Sequence, residues 1–292
     1  MKFLDLNGLT SVLSKLLTKV STAFDGLEER VTANETAIEG KADEEHSHED
    51  VNELIKRLYV NNYDGSESQL NMIVALSGGL SETVSVGDDA NVYICNNGDA
   101  YLAGSGETNN YTNSSRPFEG NETINVLYVL NGITGIGNQA FGNCESLISV
   151  VIADSVVSIG ISAFYSCAGL TSITMPNSVI EIGIGAFERC TSLKSMLIPN
   201  SVTSIQPGTF QNCVSLVSIT IPSSVTSIGT STFNGCSSLT DITIPSSVTS
   251  IGANVFRNCT ALTTITINKP QDSITGQPWG AAGAEVIWTG GE

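Results

Sequence analysis

The residues of this sequence with the greatest capacity for chemistry are its two histidines, His46 and His48. In an extended segment, side chains two residues apart point to the same side, so both imidazoles would face one direction. Two nitrogens from one chain are too few for a transition metal, whereas three chains around an axis would supply six, enough for an octahedral site. The alternative interpretation is a solvated, charged turn, because the neighbouring residues are mostly acidic.

The seven cysteines form the second group, and six of them recur at one constant interval. The periodic members are Cys144, Cys167, Cys190, Cys213, Cys236 and Cys259. Cys95 is the seventh and leaves an odd count. Each periodic cysteine follows a phenylalanine by three residues and precedes a leucine by three, a spacing that favours a small buried apolar residue over a disulfide partner. The sequence therefore predicts free thiols.

The sequence does not predict an enzyme, because the groups that could react do not converge. Both histidines precede the periodic region, so no Ser–His or Cys–His pair can form within it, and no G-x-x-x-x-G-K loop is present. The carboxylates of the periodic region share no column of the repeat: Glu145, Asp154, Glu181, Glu188 and Asp241. A net charge of -17 argues against nucleic-acid binding. No apolar run approaches the roughly 18 residues that membrane insertion requires.

The cysteines belong to a 23-residue unit that repeats without insertion between residues 136 and 267. Its phenylalanines keep the same step: Phe141, Phe164, Phe187, Phe210, Phe233 and Phe256. In residues 170–175, the alternation of apolar and β-branched residues predicts a short strand with Leu170, Ile173 and Met175 facing inward. Strands from successive coils would pair in parallel, about 4.8 Å apart, so each phenylalanine would contact the next.

The repeat reads approximately S-V-T-S-I-G-x-x-x-F-x-x-C-x-S-L-x-S-I-T-I-P, and it resembles the BspA-like leucine-rich repeat family. That family occurs on bacterial surface proteins and in some phage fibre proteins. The resemblance implies a β-rich leucine-rich-repeat solenoid of 23-residue BspA-like repeats. Residues 61–127, with a hairpin around Asn96-Asn97-Gly98, resemble the capping segment that precedes such arrays.

The N-terminal region shows a different period, with a heptad seam that spans residues 10–38 and predicts an α-helical coiled coil. The seam consists of Thr10, Leu13, Leu17, Val20, Phe24, Leu27, Val31, Asn34 and Ile38. A single polar layer at Asn34 is typical of a residue that specifies register and oligomeric state, and its context resembles the V-x-x-N-T motif of trimeric adhesin stalks. We therefore expect a parallel homotrimer; the alternative is an amphipathic helix that packs on its own chain.

The segment K-A-D-x-x-H-S-H directly after this seam resembles the H-x-H elements of phage tail fibres, in which such sites bind iron. The resemblance implies that His46 and His48 hold iron or another transition metal at the trimer axis. This expectation depends on the trimer, because the ligands must converge.

The patterns divide the chain into five parts. They are a stalk and attachment helix (residues 1–45), an H-x-H collar and connector (46–60), a β-rich linker and N-terminal cap (61–127), the solenoid (128–268) and a C-terminal cap (269–292). In the last part we expect Trp279 and Trp288 to cover the final coil, with E-V-I-W as an edge strand; a tryptophan ligand platform is the alternative.

Outward-facing positions vary from coil to coil while the apolar columns do not, as expected for a binding surface on a constant scaffold. The candidate receptor-binding residues are Tyr165, Arg189, Lys194 and Arg257, although exposed positions also vary when nothing selects them.

With no secretory signal apparent, the sequence and its resemblances predict a phage tail fibre on a virion. It would attach through its N-terminus to tail or baseplate proteins and bind a protein or glycan receptor on a bacterium. The alternatives are a bacterial cell-surface adhesin and a purely structural virion fibre or head decoration.

Overall fold

The computed structural model describes residue 56, residues 59–276 and residues 278–290. Residues 56 and 59–62 are helical and precede helix α1 (Glu67–Leu76). The strands in the described residues are β1 (Leu80–Ser85), β2 (Ala90–Cys95), β3 (Asp99–Gly104), β4 (Gly106–Glu107), β5 (Val126–Val129), β6 (Ile133–Ile136), β7 (Ser149–Ile152), β8 (Ser158–Ile159), β9 (Ser172–Thr174), β10 (Glu181–Ile182), β11 (Ser195–Leu197), β12 (Ser204–Ile205), β13 (Ser218–Thr220), β14 (Ser227–Ile228), β15 (Asp241–Ile244), β16 (Ser250–Ile251), β17 (Thr264–Ile267) and β18 (Glu285–Trp288).

The strands line two sides of a solenoid, and each coil contributes one strand to each side. One side carries the sheets β1-β2-β3-β5-β7-β9, β11-β13 and β15-β17-β18, and the other carries β4-β6-β8-β10 and β12-β14-β16. Within the repeats the strands pair in parallel, and each residue lies beside its equivalent in the next coil, as in Ser195 with Ser218 and Ile228 with Ile251. The predicted parallel stacking and the predicted solenoid are confirmed.

The core contains a column of stacked aromatic rings. From Phe118 through Phe256 the rings stack in nearly parallel planes, and the centroids of neighbouring rings are 5.2–5.9 Å apart. Trp279 ends the column with an edge-on contact of 6.5 Å to Phe256. The column thus has eight members and extends one position beyond the sequence periodicity at each end. Each interior ring covers the face of the next, which is why one coil could not be stable alone.

The cysteines form a second buried column beside these rings, as predicted, and all seven described cysteines are free thiols. Each thiol from the second coil onward donates a hydrogen bond to the carbonyl of the phenylalanine in the preceding coil. These bonds join Cys167 to Phe141, Cys190 to Phe164, Cys213 to Phe187, Cys236 to Phe210 and Cys259 to Phe233, at 3.0–3.2 Å. A thiol can donate such a bond while remaining largely apolar, which explains cysteine at this position.

The N-terminal end is closed by antiparallel structure. Strands β1, β2 and β3 form a meander, confirming the predicted hairpin, and β3 then pairs in parallel with β5 of the first coil. Helix α1, which the sequence analysis did not predict, begins after the N-cap Ser66. It buries Leu70 and Ile73 in a small core that includes the stacked pair Tyr101 and Tyr128 on the outer side of the sheet. Helix and meander together form the N-terminal cap.

The C-terminal end is closed by β18, which pairs in parallel with β17 and confirms the predicted edge strand. Trp279 is buried against the last phenylalanine, and Trp288 packs partly buried against the core. The alternative of an exposed tryptophan platform at Trp279 is therefore wrong, because its ring completes the aromatic column. The predicted coiled coil at residues 10–38 and the histidine pair at 46 and 48 lie outside the described residues.

Candidate binding site

Two of the four predicted receptor-binding residues lie together. The Tyr165 ring lies between two guanidinium groups, with the Arg116 Cζ atom 5.4 Å and the Arg189 Cζ atom 5.8 Å from its centroid. Both distances are within the range for attraction between a cation and the face of an aromatic ring. Arg116, Tyr165 and Arg189 come from different turns of the chain, so the solenoid itself assembles this group, which we call the tyrosine–arginine cluster.

Arg116 reaches the cluster because of a glycine. In the repeat, Gly142 occupies the position equivalent to Tyr165, one coil earlier. A Cβ atom at Gly142 would lie 2.9 Å from the Arg116 Nε atom, so any larger residue would displace the guanidinium. Arg116 is then held by hydrogen bonds from Nε to Gln139 and from Nη2 to Asn113, both 2.7 Å. The side chain of Arg116 is only 7% exposed, so it is the buried cation of the cluster.

Arg189 is the accessible cation of the cluster, with 55% of its side chain exposed. Its backbone is left-handed, with φ of 62°, a conformation that is unfavourable for a long side chain. The equivalent left-handed positions of other coils hold smaller residues: Asn143, Ser166, Asn212, Gly235 and Asn258. Arginine in this column therefore needs a reason other than backbone fit, and its contact with Tyr165 is the one that the structure offers.

The electrostatics of the cluster leave Arg189 able to accept a ligand. The nearest carboxylate is Glu188, whose Oε1 atom is 3.9 Å from the Arg189 Nε atom, too long for a hydrogen bond. Burial raises the pKa of Glu188, and the neighbouring guanidinium opposes this shift. The exposed guanidinium fork of Arg189, held beside the Tyr165 ring, can donate hydrogen bonds to a hydroxyl or carboxylate of a ligand.

The other two predicted residues lie elsewhere on the solenoid. Arg257 occupies the same column as Tyr165 but four coils further on, which is about 19 Å at the spacing of paired strands. Lys194 directly precedes β11, on the side of the solenoid that carries β11 and β13. Its backbone carbonyl accepts a hydrogen bond from the Val217 N–H group. Neither belongs to the tyrosine–arginine cluster. Arg116 is the member that the sequence analysis missed, although Phe118 precedes Phe141 by one repeat length and so places Arg116 in register.

A second exposed feature is an aliphatic patch on the side of the solenoid that carries β8 and β10. It is formed by Val157, Ile161, Ile180 and Ile184, which are 41–61% exposed. Val157 and Ile180 occupy one column and Ile161 and Ile184 another, in adjacent coils. Later coils carry threonine, proline or alanine in these columns. The patch is therefore local and does not follow from the repeat itself.

An acidic cleft of about 440 Å³ lies beside β4 and is lined by Asp88, Asp89 and Glu107 together with polar residues. Asp89 is engaged by the Ser105 hydroxyl at 2.6 Å. No group of three or more histidine, cysteine, aspartate or glutamate side chains within the described residues is arranged to hold a metal ion. Nor does the described part of the chain contain a helix long and apolar enough to cross a membrane.

Coils of one constant length, each with a parallel strand, a buried leucine and a stacked phenylalanine, define a leucine-rich repeat solenoid. A family model described as the BspA type leucine rich repeat region matches this chain in 6 copies, over residues 112–240 and 158–277. These matches span more than half of the chain, so the chain belongs to the BspA-type leucine-rich repeat family. No curated protein matches it.

Several solved structures are similar to this chain. A leucine rich cell surface protein from Faecalibacterium prausnitzii A2-165 shares 30% identity over 64% of this chain, with a TM-score of 0.47. The match covers 55% of that protein, so this chain spans about half of its length. A leucine-rich repeat protein from Bacteroides ovatus shares 20% identity, covering 69% of this chain and 70% of that one, with a TM-score of 0.48. The T. pallidum leucine rich repeat protein shares 25% identity, covering 59% and 86%, with a TM-score of 0.48.

Proposed function

We propose that this chain is an adhesion or binding protein that recognises a receptor through the outer surface of its solenoid, centred on Tyr165 and Arg189. The observation that carries the proposal is the tyrosine–arginine cluster, in which Arg189 occupies a left-handed position that suits asparagine or glycine. An unfavourable backbone conformation combined with an exposed, preorganised side chain is characteristic of functional positions. The receptor is a protein or glycan on a bacterial surface.

We also propose that the chain has no catalytic activity. The thiols are the strongest nucleophiles among the described residues, and burial raises the pKa of Cys144 and of Cys213 to about 12. Both thiols are therefore neutral and inaccessible at physiological pH. We likewise propose that the solenoid binds no cofactor.

Two settings remain for such a binding protein. In the first, the chain is displayed on a bacterial cell, which membership of the BspA-type family supports. In the second, it is a trimeric virion fibre that docks through its N-terminus to tail or baseplate proteins. This setting is supported by the heptad seam and by His46 and His48, where iron or another transition metal would bind. Light scattering of the purified full chain, with metal content measured on the same sample, separates them. A metal-containing trimer supports the fibre, and a metal-free monomer argues against it.

The binding proposal is tested by adsorption of the purified full chain to a panel of bacterial cells. The variant Tyr165→Gln with Arg189→Asn uses residues that other coils carry at the same positions, Gln211 and Asn212, so the fold is retained. We expect it to lose adsorption at least tenfold. The matched control, Ile180→Thr with Ile184→Thr, changes the aliphatic patch to the threonine found in those columns at other coils and should adsorb normally. Loss of adsorption in the control alone would refute the assignment.

A further inference from the structure

A buried ion pair in the N-terminal cap takes no part in the proposed binding surface. The Lys56 Nζ atom lies 2.5 Å from the Asp99 Oδ2 atom, and each side chain is only 8% exposed. The two residues are 43 positions apart. Lys56 is helical and Asp99 opens strand β3, so the pair connects the helical part of the cap to the sheet.

Several donors converge on the same carboxylate oxygen. In addition to Lys56, Asp99 Oδ2 accepts hydrogen bonds from the Ser77 hydroxyl at 2.9 Å and from the Asn97 amide at 2.8 Å. The Tyr101 hydroxyl is 3.4 Å away and also contacts Ser77 at 2.6 Å. This arrangement polarises one carbon–oxygen bond of Asp99 and surrounds the oxygen with groups that can deliver protons.

The surroundings of the pair are apolar. Val60, Ile73 and Cys95 are buried in the same small core, which the stacked rings of Tyr101 and Tyr128 complete. Two charges in such a site are costly, and transfer of one proton from the ammonium to the carboxylate removes both. As the first step of a reaction, such a transfer would leave a neutral amine, which is a nucleophile, next to a carboxylic acid.

The distance is short enough for the two groups to react. A carbon–oxygen bond is about 1.2 Å long, so Asp99 Cγ lies within about 3.7 Å of Nζ, close to the separation of reacting atoms in near-attack arrangements. Because both residues are held by a folded core, the reaction would be intramolecular and need no external reagent.

We propose that Lys56 and Asp99 condense to an isopeptide bond that covalently ties the helical part of the cap to β3. The Nζ–Cγ bond forms and the Cγ–Oδ2 bond breaks. Two of the three ammonium protons leave with Oδ2 as one molecule of water, and the third stays on the amide nitrogen. Ser77 and Tyr101 carry protons to the departing oxygen. The bond closes a ring that contains α1, β1 and β2, so the helical part of the cap cannot separate from β3 without breaking a covalent bond.

The test is the intact mass of the purified full-length protein after denaturation. We expect a mass lower than the sequence mass by one water molecule, and a protease digest that yields a branched peptide joining the segments of Lys56 and Asp99. A mass equal to the sequence mass overturns the proposal.

Variants locate the bond. Lys56→Arg keeps the positive charge but cannot form this amide, so it should show its full sequence mass. Lys194→Arg is the matched control at an exposed lysine, and it should retain the deficit of one water. A deficit that persists in Lys56→Arg would place the lost water elsewhere, as in a cyclised aspartate, and would overturn the assignment.

Discussion

The repeat array and the N-terminal cap are stabilised by different kinds of contact. In the array, every coil uses the same apolar columns, a phenylalanine, a cysteine and a leucine, all buried and all stacked on equivalent residues. In the cap, the contacts that hold the helical segments to the sheet are individual and include a buried polar group around Asp99. Nothing in the cap repeats.

The contrast shows what repetition can and cannot provide. A coil inside the array finds its partner surfaces on both sides, so one sequence unit suffices for all of them. The first coil has no preceding coil, and its open strand edge and outer tyrosines need a partner of different shape. Lys56 and Asp99, which are 43 positions apart in the chain, meet in this cap.

The largest expected effect is in the middle of the aromatic column. Phe187→Ala removes a ring that stacks on Phe164 and Phe210, at 5.6 and 5.9 Å, and leaves a cavity that neighbouring coils cannot fill. We expect a loss of about 4 kcal/mol in the free energy of unfolding, measured with urea. Ile180→Ala, at an exposed aliphatic residue, is the control and should cost little. Equal losses in both variants would contradict the role of the column.

The cap should respond to loss of a polar group instead. Asp99→Ala removes the side chain with which Lys56, Ser77 and Asn97 interact, and with it the proposed bond to Lys56. We expect a loss of at least about 3 kcal/mol in the free energy of unfolding, first visible as faster hydrogen exchange in α1 and β1. Asp241→Ala, an exposed carboxylate at the start of β15, should change stability by less than about 0.5 kcal/mol. Exchange that speeds up first in the last coils would show that Asp99 does not stabilise the cap specifically.

The cysteine column should affect how the free energy of unfolding depends on pH. Burial raises the pKa of Cys190 well above its usual value near 9, so above that pH only the unfolded chain ionises this thiol. Its stabilising contribution is complete below pH 9 and is lost as the pH rises further. Cys190→Ala should be about 1 kcal/mol less stable at pH 7, and the difference from the parent protein should shrink by roughly a kcal/mol per pH unit above 9. Parallel pH profiles would contradict this account.

The smallest expected effect is at the outer surface. Arg189→Asn replaces a left-handed arginine with the residue that three other coils carry there, and it loses only a half-exposed contact with Tyr165. We expect the midpoint of urea unfolding to change by the equivalent of at most about 0.5 kcal/mol, in either direction. A large destabilisation would mean that Arg189 is a structural residue.

The sequence predicted the array well because its information is periodic. The phenylalanine and cysteine columns, the parallel strands and the edge strand at the C-terminus all follow from one constant step along the chain and were confirmed. Extending the same step to Phe118 and Trp279 would also have revealed both ends of the aromatic column. The thiol hydrogen bonds could not be predicted, because they depend on the direction of individual carbonyl groups.

The cap and the candidate site were less predictable because they depend on contacts that do not recur from coil to coil. Helix α1 has a weak apolar pattern, and it is stabilised by Tyr101 and Tyr128 from strands later in the chain. The predicted binding residues were chosen as variable exposed positions, a criterion that cannot tell which ones meet. The structure brings Tyr165 and Arg189 together and adds Arg116, because Gly142 leaves room for its side chain.

The central claim is that the inner columns provide stability whereas the outer cluster provides binding. The most direct measurement combines urea unfolding and adsorption to bacterial cells for Tyr165→Gln with Arg189→Asn. Gln211→Ala with Asn234→Ala, in the same outer column as Tyr165, serves as the control. We predict unchanged unfolding in both variants and at least a tenfold loss of adsorption in the first alone. Unchanged adsorption in the first variant, or loss of stability in parallel with adsorption, would contradict the account.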